Sequence, residues 1–314
     1  MKKYVIGLDG GGTSTKGVLL DEKGQVCADS IGPSSNIQAI GDQELTKAFE
    51  QVILDLIAKA GIEKNKVSYL YAGLAGAGRP ADRERISACL SSLDLVKDFT
   101  IDTDAMAALA GAFNGKAGII LISGTGAICF GKDENDNVVR CGGWGFLLGD
   151  EGSGFYFGQQ AIIAALKDLD GRGEKTILGD KIKEFFGLEK IELIISPIYS
   201  NEIDRTKIAS LAPIVFEEAA KNDKVAAEIV ETAGKELGKV VAGVSKNLGM
   251  TGKSVSVALI GSVFNQRDTL IPLMSVEATK VVSQVTFIDP QNEPAVGAAI
   301  LGLKKIGISP DELN

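Results

Sequence analysis

The 314-residue sequence contains no histidine. This absence excludes a Ser-His-Asp or Cys-His catalytic arrangement, and it excludes histidine-ligated zinc or haem. Proton transfer, if the protein carries it out, must therefore use a carboxylate, a lysine, a tyrosine or a thiol.

Cysteine is scarce as well, with Cys27, Cys89, Cys129 and Cys141 as its four occurrences. None of them forms a CxxC pair, and all four lie in apolar or glycine-rich surroundings. The sequence therefore favours reduced, mostly structural thiols.

Long apolar runs are also missing. No stretch approaches the roughly 20 residues of a membrane span. The segment after Met1-Lys2-Lys3 is broken by Asp9 and nearby glycines, so it lacks the apolar core of a signal peptide.

Positive charge is in the minority, because 33 Lys and Arg stand against 41 Asp and Glu and leave a net charge of −8. The sequence predicts a cytoplasmic protein whose main partner is neither nucleic acid nor a membrane.

Glycine, in contrast, is abundant, with 38 residues. Many of these glycines lie in short clusters beside Thr and Ser. Consecutive small residues allow several backbone N–H groups to point at one anion, so the clusters indicate anion sites rather than disorder.

Strands alternate with helices in both halves of the chain, which predicts the α/β class. The opening block runs strand, GGGT loop, strand, DEKG turn, strand, and a block from residue 118 repeats this order with SGTG and DEND. We interpret the repetition as a structural duplication. The predicted domains are residues 1–114 and residues 115–314, the second with a helical insertion at about 154–250. The last helix, 294–305, is the segment of the second domain that could pack back toward the first.

The first glycine cluster lies between predicted strands at 3–9 and 16–21. Its candidate phosphate contacts are Gly11, Gly12, Thr13, Thr15 and Lys16. Asp9, at the end of the first strand, could hold Mg²⁺ through water, because Mg²⁺ keeps several waters when it binds proteins. A tight β-hairpin is the simpler explanation, but one glycine would suffice for it.

A second loop, Ser123-Gly124-Thr125-Gly126, occupies the equivalent place in the second block. Gly124, Thr125 and Gly126 are its candidate phosphate contacts, and we expect the two loops to face one nucleotide. Gly261-Ser262 follows a predicted strand, at the position where α/β sheets bind ligands. Contact with adenosine and a plain turn explain this pair equally well.

Two aspartates end the predicted strand 99–103. Asp104 opens a helix and is a natural N-cap. The same carboxylate could also accept a proton from a substrate hydroxyl, as the base of a kinase does. Asp102 would point to the opposite face only if the strand continues.

The segment from Cys141 to Gly154 holds the only tryptophan, Trp144, together with six glycines and the adjacent Asp150 and Glu151. Sugars need an aromatic face for their C–H groups and acceptors for their hydroxyls, and this segment offers both. A core tryptophan within a loop is the alternative. Asn36 by itself is a plain loop residue.

Four segments in this order, DGGGTSTK from Asp9, DTDA from Asp102, LISGTG up to Gly126 and CGGWGFLLGDEGS from Cys141, resemble the N-acetylglucosamine kinases of the BadF/BadG-type ATPase group. This group belongs to the actin-like/sugar kinase/Hsp70 superfamily. The resemblance covers nearly the whole chain and implies two ribonuclease H-like domains that close over ATP, Mg²⁺ and an amino sugar.

The resemblance also implies roles for individual residues. Asp104 would take the proton from the sugar 6-hydroxyl. The sugar would contact Asn36, Gly143, Trp144 and Asp150, the ATP phosphates would contact Thr13 and Thr125, and Gly261-Ser262 would lie near the adenosine. A homodimer is expected. Relatives often carry a second serine after the SGTG motif, where this chain has Ala127, so N-acetylglucosamine, the bulkier N-acetylmuramic acid and glucosamine all stay open as substrates.

Three other functions are weighed against this one. ATPase activators of 2-hydroxyacyl-CoA dehydratases need cysteines for an iron–sulfur cluster, and here Ile122 rather than a cysteine precedes the SGTG motif. Regulators of the ROK family carry a His/Cys zinc site and often a DNA-binding unit before the first strand, features that this sequence lacks. A non-catalytic actin-like filament protein would have no need of the GGWGFLLGDEG loop.

Overall fold

The computed structural model describes residues 3–309, which form two compact units. Unit 1 is Met1–Ala117 with Pro290–Asn314, and unit 2 is Gly118–Asp289. Each unit contains a five-stranded mixed sheet with helices. The α/β class predicted from the sequence is therefore confirmed.

The strands of the described chain are β1 (Tyr4–Gly10), β2 (Ser14–Asp21), β3 (Val26–Pro33), β4 (Val67–Leu74), β5 (Phe99–Thr103), β6 (Gly118–Ser123), β7 (Ala127–Lys132), β8 (Val138–Gly142), β9 (Ser254–Ile260) and β10 (Gln284–Ile288). The α-helices are α1 (Asp42–Ala60), α2 (Pro80–Ser92), α3 (Asp104–Ala112), α4 (Gly154–Leu169), α5 (Leu178–Phe186), α6 (Ile195–Tyr199), α7 (Arg205–Ala209), α8 (Ala212–Ala220), α9 (Lys224–Asn247), α10 (Arg267–Ala278) and α11 (Pro294–Lys305). Short 3₁₀ helices occupy Lys64–Lys66, Ile191–Ile194 and Ser262–Gln266.

The sheet of unit 1 has the order β3-β2-β1-β4-β5. The first three strands form an antiparallel meander, and β4 and β5 run parallel to β1. Parallel strands bring their carboxyl ends to the same edge, where ligands bind in α/β proteins. The register aligns Asp9 with Gly73 and Gly73 with Asp102, so this edge carries the aspartates that the sequence singled out.

The sheet of unit 2 has the order β10-β9-β6-β7-β8. The strands β6, β7 and β8 again form an antiparallel meander, and β9 and β10 run parallel to β6. Both sheets thus share one topology, as the repeated loop and turn pattern predicted. The pairing of Ile122 with Ile260 brings the SGTG loop next to Gly261-Ser262.

Helix α11 belongs to unit 1, although it follows the last strand of unit 2 in the chain. Helix α11 packs closely on β1 and α3 because glycines lie at the points of contact. A Cβ added to Gly7 of β1 would lie 2.2 Å from the Ala295 oxygen, and one added to Gly297 would lie 2.1 Å from the Ala107 oxygen. The units therefore divide the chain at 117/118 and again at 289/290, whereas the sequence-based division was a single one at 114/115.

The region 154–250, read as a helical insertion, consists of α4 to α9 and belongs to unit 2. The apolar faces of these helices share one core with the sheet of unit 2. Phe157, Leu211 and Leu237 are fully buried in this core. Burial of these side chains holds the helices against the strands. Among residues 3–309, no helix is both long enough and apolar enough to cross a membrane.

Candidate active site

The GGGT loop of unit 1 joins β1 to β2. The Gly11 amide donates to the Ser14 carbonyl at 3.0 Å, while Gly12 and Thr13 lie exposed at the tip of the loop. The Ser34 hydroxyl donates to the Gly11 carbonyl at 2.9 Å, so the segment after β3 packs across the loop. The exposed tip is available to an anion.

Thr15 has a different environment from the one expected for a phosphate contact. Strand β2 begins at Ser14 rather than at residue 16, so Thr15 is part of the sheet and fully buried. Its hydroxyl donates to the Pro33 carbonyl at 2.6 Å. We therefore assign Thr15 to the pairing of β2 with β3 and not to ATP.

Asp9, one residue before the end of β1, is partly buried among charged neighbours. Burial and the negative charge of Asp104 raise the pKa of Asp9 to about 6, Lys16 acts in the opposite direction, and Glu293 raises it further. Lys16 is itself paired with Glu293 at 3.0 Å. The carboxyl edge of unit 1 thus carries an excess of negative charge.

Such an excess suits a divalent cation, which would relieve the repulsion between the carboxylates. In the described part of the chain, no group of three or more His, Cys, Asp and Glu side chains could hold a metal ion by itself. A cation at Asp9 would therefore take most of its ligands from water and phosphate, which Mg²⁺ accepts. The residues present fit Mg²⁺ bound in this manner.

Asp104 is the first residue of α3, and Thr103 is the N-cap, so the expectation that Asp104 caps the helix is off by one position. Its Oδ1 accepts from the Ala105 amide at 2.9 Å, and the residue is exposed. Desolvation of the carboxylate raises the pKa of Asp104 above its ordinary value, against the opposing effect of the backbone donors. The side chain is open to a substrate and is a better proton acceptor than an ordinary aspartate.

Asp102 is held by its neighbours instead. Its Oδ2 accepts from the Tyr71 hydroxyl at 2.8 Å, and its Oδ1 lies 3.2 Å from the Arg83 guanidinium. Burial, followed by the charge of Asp102, raises the pKa of Tyr71, so that hydroxyl remains a donor. Asp102 serves the structure of the edge, and Asp104 is the free carboxylate beside it.

Asn36 lies near this edge, against the loop that follows β4. Its Oδ1 accepts from the Gln38 amide at 3.1 Å, and a Cβ on Gly76 would come within 2.9 Å of it. Gly76 belongs to the loop after β4, in which the Ala75 amide donates to the Gly10 carbonyl at 2.7 Å. The signal for this loop was available as Leu74-Ala75-Gly76-Ala77-Gly78 after a buried strand.

Unit 2 contains a cavity of about 460 Å³ at the SGTG loop. Its lining includes Gly124, Thr125 and Ser262. The remaining walls come from the start of α4, from α7 and α8, and from the 3₁₀ helix after β9, through Gly154, Thr206, Ala209, Ser210, Ala212, Pro213, Phe216, Val263, Asn265 and Gln266. The sequence predicted the three loop residues, and Gly154 ends the tryptophan segment. No motif marks the walls that α7, α8 and the 3₁₀ helix contribute.

Gly261 makes the closeness of the two loops possible. Its φ is +111°, and a Cβ there would lie 2.2 Å from the Ser123 carbonyl oxygen. Only glycine tolerates both the conformation and the approach. Gly126 packs in a similar way against Asp150, whose Oδ2 would lie 2.9 Å from an added Cβ.

The tryptophan segment of unit 2 is not a core element. Trp144 is 65 % exposed, and the guanidinium carbon of Arg140 lies 4.2 Å from the centre of its ring. Gly143 packs against Ile128 with φ +68°, which fixes the turn before the tryptophan. The alternative of a buried tryptophan is excluded by this exposure.

Asp150 is nearly buried beside the SGTG loop, and Arg205 reaches it at 3.9 Å. Arg205 also stacks over Phe146 at 4.4 Å, so the segment and α7 are joined. Ala127, at the start of β7, is buried in the core of the unit.

A model of the BadF/BadG/BcrA/BcrD ATPase family matches residues 6–302 of the chain. The chain belongs to this family. Among curated proteins, this family member is 36 % identical over 299 residues to an N-acetylmuramic acid/N-acetylglucosamine kinase from Clostridium acetobutylicum, with 95 % of this chain and 98 % of that protein covered. It is 31 % identical over 314 residues to an N-acetyl-D-glucosamine kinase from Dictyostelium discoideum, with 96 % and 98 % covered.

Among solved structures, the family member resembles a Chromobacterium violaceum protein assigned provisionally to the N-acetylglucosamine kinases. The TM-score is 0.74 at 26 % sequence identity, and the match covers 96 % of this chain and 99 % of that chain. The chain thus shares its fold with that protein.

Proposed function

We propose that this ATPase family member is an ATP-dependent kinase that phosphorylates the 6-hydroxyl of an N-acetylated amino sugar. One observation carries the proposal: Asp104 presents an exposed carboxylate of raised pKa at the carboxyl edge of unit 1, beside an aspartate that is held by other side chains. The names of the curated relatives support amino sugars as the substrate class.

The cavity of unit 2 supports the nucleotide part of the proposal. It joins the SGTG loop to the turn after β9, and its volume of about 460 Å³ lies in the range of small-molecule sites. We assign Thr125 and Gly124 to the phosphates and Gly261-Ser262 to the adenosine. The exposed tip of the GGGT loop, Gly12 and Thr13, would add amide and hydroxyl donors to the phosphates.

The sugar would bind through residues that offer an aromatic surface and polar atoms. Trp144 supplies the exposed ring, and Asn36 and Asp150 supply an amide and a carboxylate. The backbone of Gly143 would contribute from the same turn as Trp144. Sugars need this combination of apolar contact and hydroxyl partners.

In the reaction, the carboxylate of Asp104 would accept the proton of the 6-hydroxyl as that oxygen attacks the γ-phosphorus of ATP. The bond from this phosphorus to the β,γ-bridging oxygen would break, with ADP as the leaving group. Phosphoryl transfer depends mainly on positioning and on stabilisation of charge, so the base adds a moderate share of the rate. Mg²⁺, when bound near Asp9 through water, supplies neutralisation of the phosphate charge. Asp9 itself would orient water molecules rather than donate or accept a proton in the transfer.

The test is ADP release by the purified protein with ATP, Mg²⁺ and a panel of acceptors: N-acetylglucosamine, N-acetylmuramic acid, glucosamine, N-acetylmannosamine and glucose. We expect turnover with N-acetylglucosamine and a product whose phosphorus NMR couplings assign the phosphate to C6. A preference for glucosamine would replace N-acetylated amino sugars by amino sugars with a free amine as the substrate class. Absence of turnover with every sugar would overturn the proposal and favour an ATPase activator, whose purified form would contain iron and be coloured.

We also expect a homodimer, and sedimentation equilibrium would measure the mass in solution. A particle of twice the chain mass of 32.9 kDa agrees with this expectation, and a particle of single mass contradicts it.

A further inference from the structure

Arg140 is a cation beside the exposed tryptophan of unit 2. It lies two residues before the end of β8, is exposed, and stacks on Trp144 at 4.2 Å. Among residues 3–309 its guanidinium has no carboxylate within ion-pair distance. Its charge is therefore held in place by the ring without being neutralised by an anion of the described chain.

The second arginine of this region differs in that respect. Arg205 lies 3.9 Å from Asp150 and covers Phe146, so its charge is already opposed by a carboxylate. The segment contributes a further acid, Glu151, and the whole chain carries a net charge of −8. A neutral sugar gains little from an unopposed cation here, whereas an anionic one needs it to overcome the surrounding negative charge.

We propose that Arg140 recognises the carboxylate of an acidic amino sugar, the ether-linked lactyl group of N-acetylmuramic acid being the case in point, and so extends the substrate range beyond neutral N-acetylhexosamines. This inference rests on the proposed function, because it takes Trp144 as part of the sugar site. It concerns a selectivity residue and leaves the transfer chemistry with Asp104.

The chemistry favours arginine for this task. A guanidinium presents N–H donors in a planar fork that matches a carboxylate, and such charge-assisted hydrogen bonds are about twice as strong as neutral ones. Stacking on the indole restricts the arginine before the ligand arrives, which lowers the entropy lost on binding. Trp144 keeps most of its surface exposed despite the arginine, so the ring can still contact a sugar.

The experiment compares kcat/KM for N-acetylmuramic acid and N-acetylglucosamine in the wild type and in Arg140→Gln. Arg172→Gln is the matched control, because Arg172 is also exposed but pairs with Asp170 beyond the end of α4. We expect Arg140→Gln to lower the ratio of the two values by about tenfold or more, and the control to keep it. The methyl ester of N-acetylmuramic acid tests the ligand side: it should be a poorer substrate than the acid for the wild type and an equal one for Arg140→Gln.

The outcomes separate the two proposals. An unchanged ratio in Arg140→Gln, or equal turnover of acid and ester by the wild type, would overturn the role of Arg140. A wild type that phosphorylates N-acetylglucosamine but not N-acetylmuramic acid would also overturn it, with the proposed function intact. A wild type that phosphorylates neither would overturn both.

Discussion

Asp102 and Asp104 are separated by one residue, yet only Asp102 is bound by other side chains. Tyr71 donates to it at 2.8 Å and Arg83 lies 3.2 Å away, whereas Asp104 accepts from the Ala105 amide of its own helix. The end of β5 and the start of α3 thus turn one aspartate inward as a structural anchor and leave the other exposed. Asp104, the general base of the proposed reaction, is thus the carboxylate of this pair that other side chains leave available.

Replacement of Asp104 by asparagine should lower kcat with N-acetylglucosamine by about 10²- to 10⁴-fold, because the amide cannot accept the proton. The affinity for ATP should stay within about twofold of the wild type, as measured by calorimetry. Asp102→Asn is the matched control. Its amide oxygen can still accept from Tyr71 while the ion pair with Arg83 is lost, so we expect about 1 kcal/mol less stability and a kcat within a few-fold of the wild type. Near-normal turnover in Asp104→Asn would remove this residue from the mechanism.

Replacement of Trp144 by alanine should weaken the binding of N-acetylglucosamine by about fivefold, which corresponds to roughly 1 kcal/mol of lost aromatic contact. The ring is 65 % exposed, so thermal unfolding should change little. Leu169→Ala, an exposed apolar side chain at the end of α4, provides a control for loss of surface area. Calorimetric titration measures the affinities, and equal weakening in both variants would move the sugar site away from the tryptophan.

Much of the architecture could be predicted because it depends on local patterns. Strand 3–9 and the paired loop and turn segments are visible as apolar runs bounded by glycine and aspartate, and the structure has β1 at Tyr4–Gly10. The environment of Thr15 was not visible, because β2 begins two residues before the predicted start and draws this hydroxyl into the sheet. An earlier strand start of this size decides whether a residue belongs to the loop or to the sheet.

The remaining site residues come from contacts between segments far apart in the sequence. Pro213 and Asn265 line one cavity, yet neither lies in a recognisable motif, since their positions depend on how the helices of unit 2 pack on its sheet. Arg205 was likewise missed, because only the folded chain brings it to Asp150. Arg140 is near Trp144 in the sequence, but its stacking on the ring depends on the turn after β8, which no motif marks.

Filling the cavity of unit 2 should block ATP. Asn265 is exposed and lines the cavity, so Asn265→Trp adds an indole there without disturbing the core. Overpacking costs about 1–3 kcal/mol, which corresponds to a loss of ATP affinity of about five- to 150-fold. Lys246→Trp, on the exposed face of α9 and outside the cavity lining, should bind ATP as the wild type does. If calorimetry gives the same ATP affinity for both variants, the nucleotide binds elsewhere.

Asp9→Asn should stabilise the protein in a way that depends on pH. The pKa of Asp9 is about 6 in the folded protein and 3.8 in the unfolded chain, so the folded state holds the proton more tightly. Between these two values the folded state carries more protons than the unfolded state, and the free energy of unfolding of the wild type falls as the pH rises. Asp9→Asn does not lose this free energy, so its unfolding free energy should exceed that of the wild type at high pH. The difference should be absent near pH 3, grow between about pH 4 and pH 6, and stay constant above pH 6 at no more than about 3 kcal/mol.

Urea denaturation of both proteins with EDTA, at several pH values across this window, measures the difference directly. Mg²⁺ with ATP should then stabilise the wild type more than Asp9→Asn, because the cation offsets the carboxylate repulsion that the variant no longer has. A difference in unfolding free energy that does not vary with pH would show that Asp9 titrates as an ordinary aspartate. Equal stabilisation of both proteins by Mg²⁺ and ATP would separate Asp9 from the metal, since a carboxylate that helps to hold a cation must bind it more tightly than the neutral amide does.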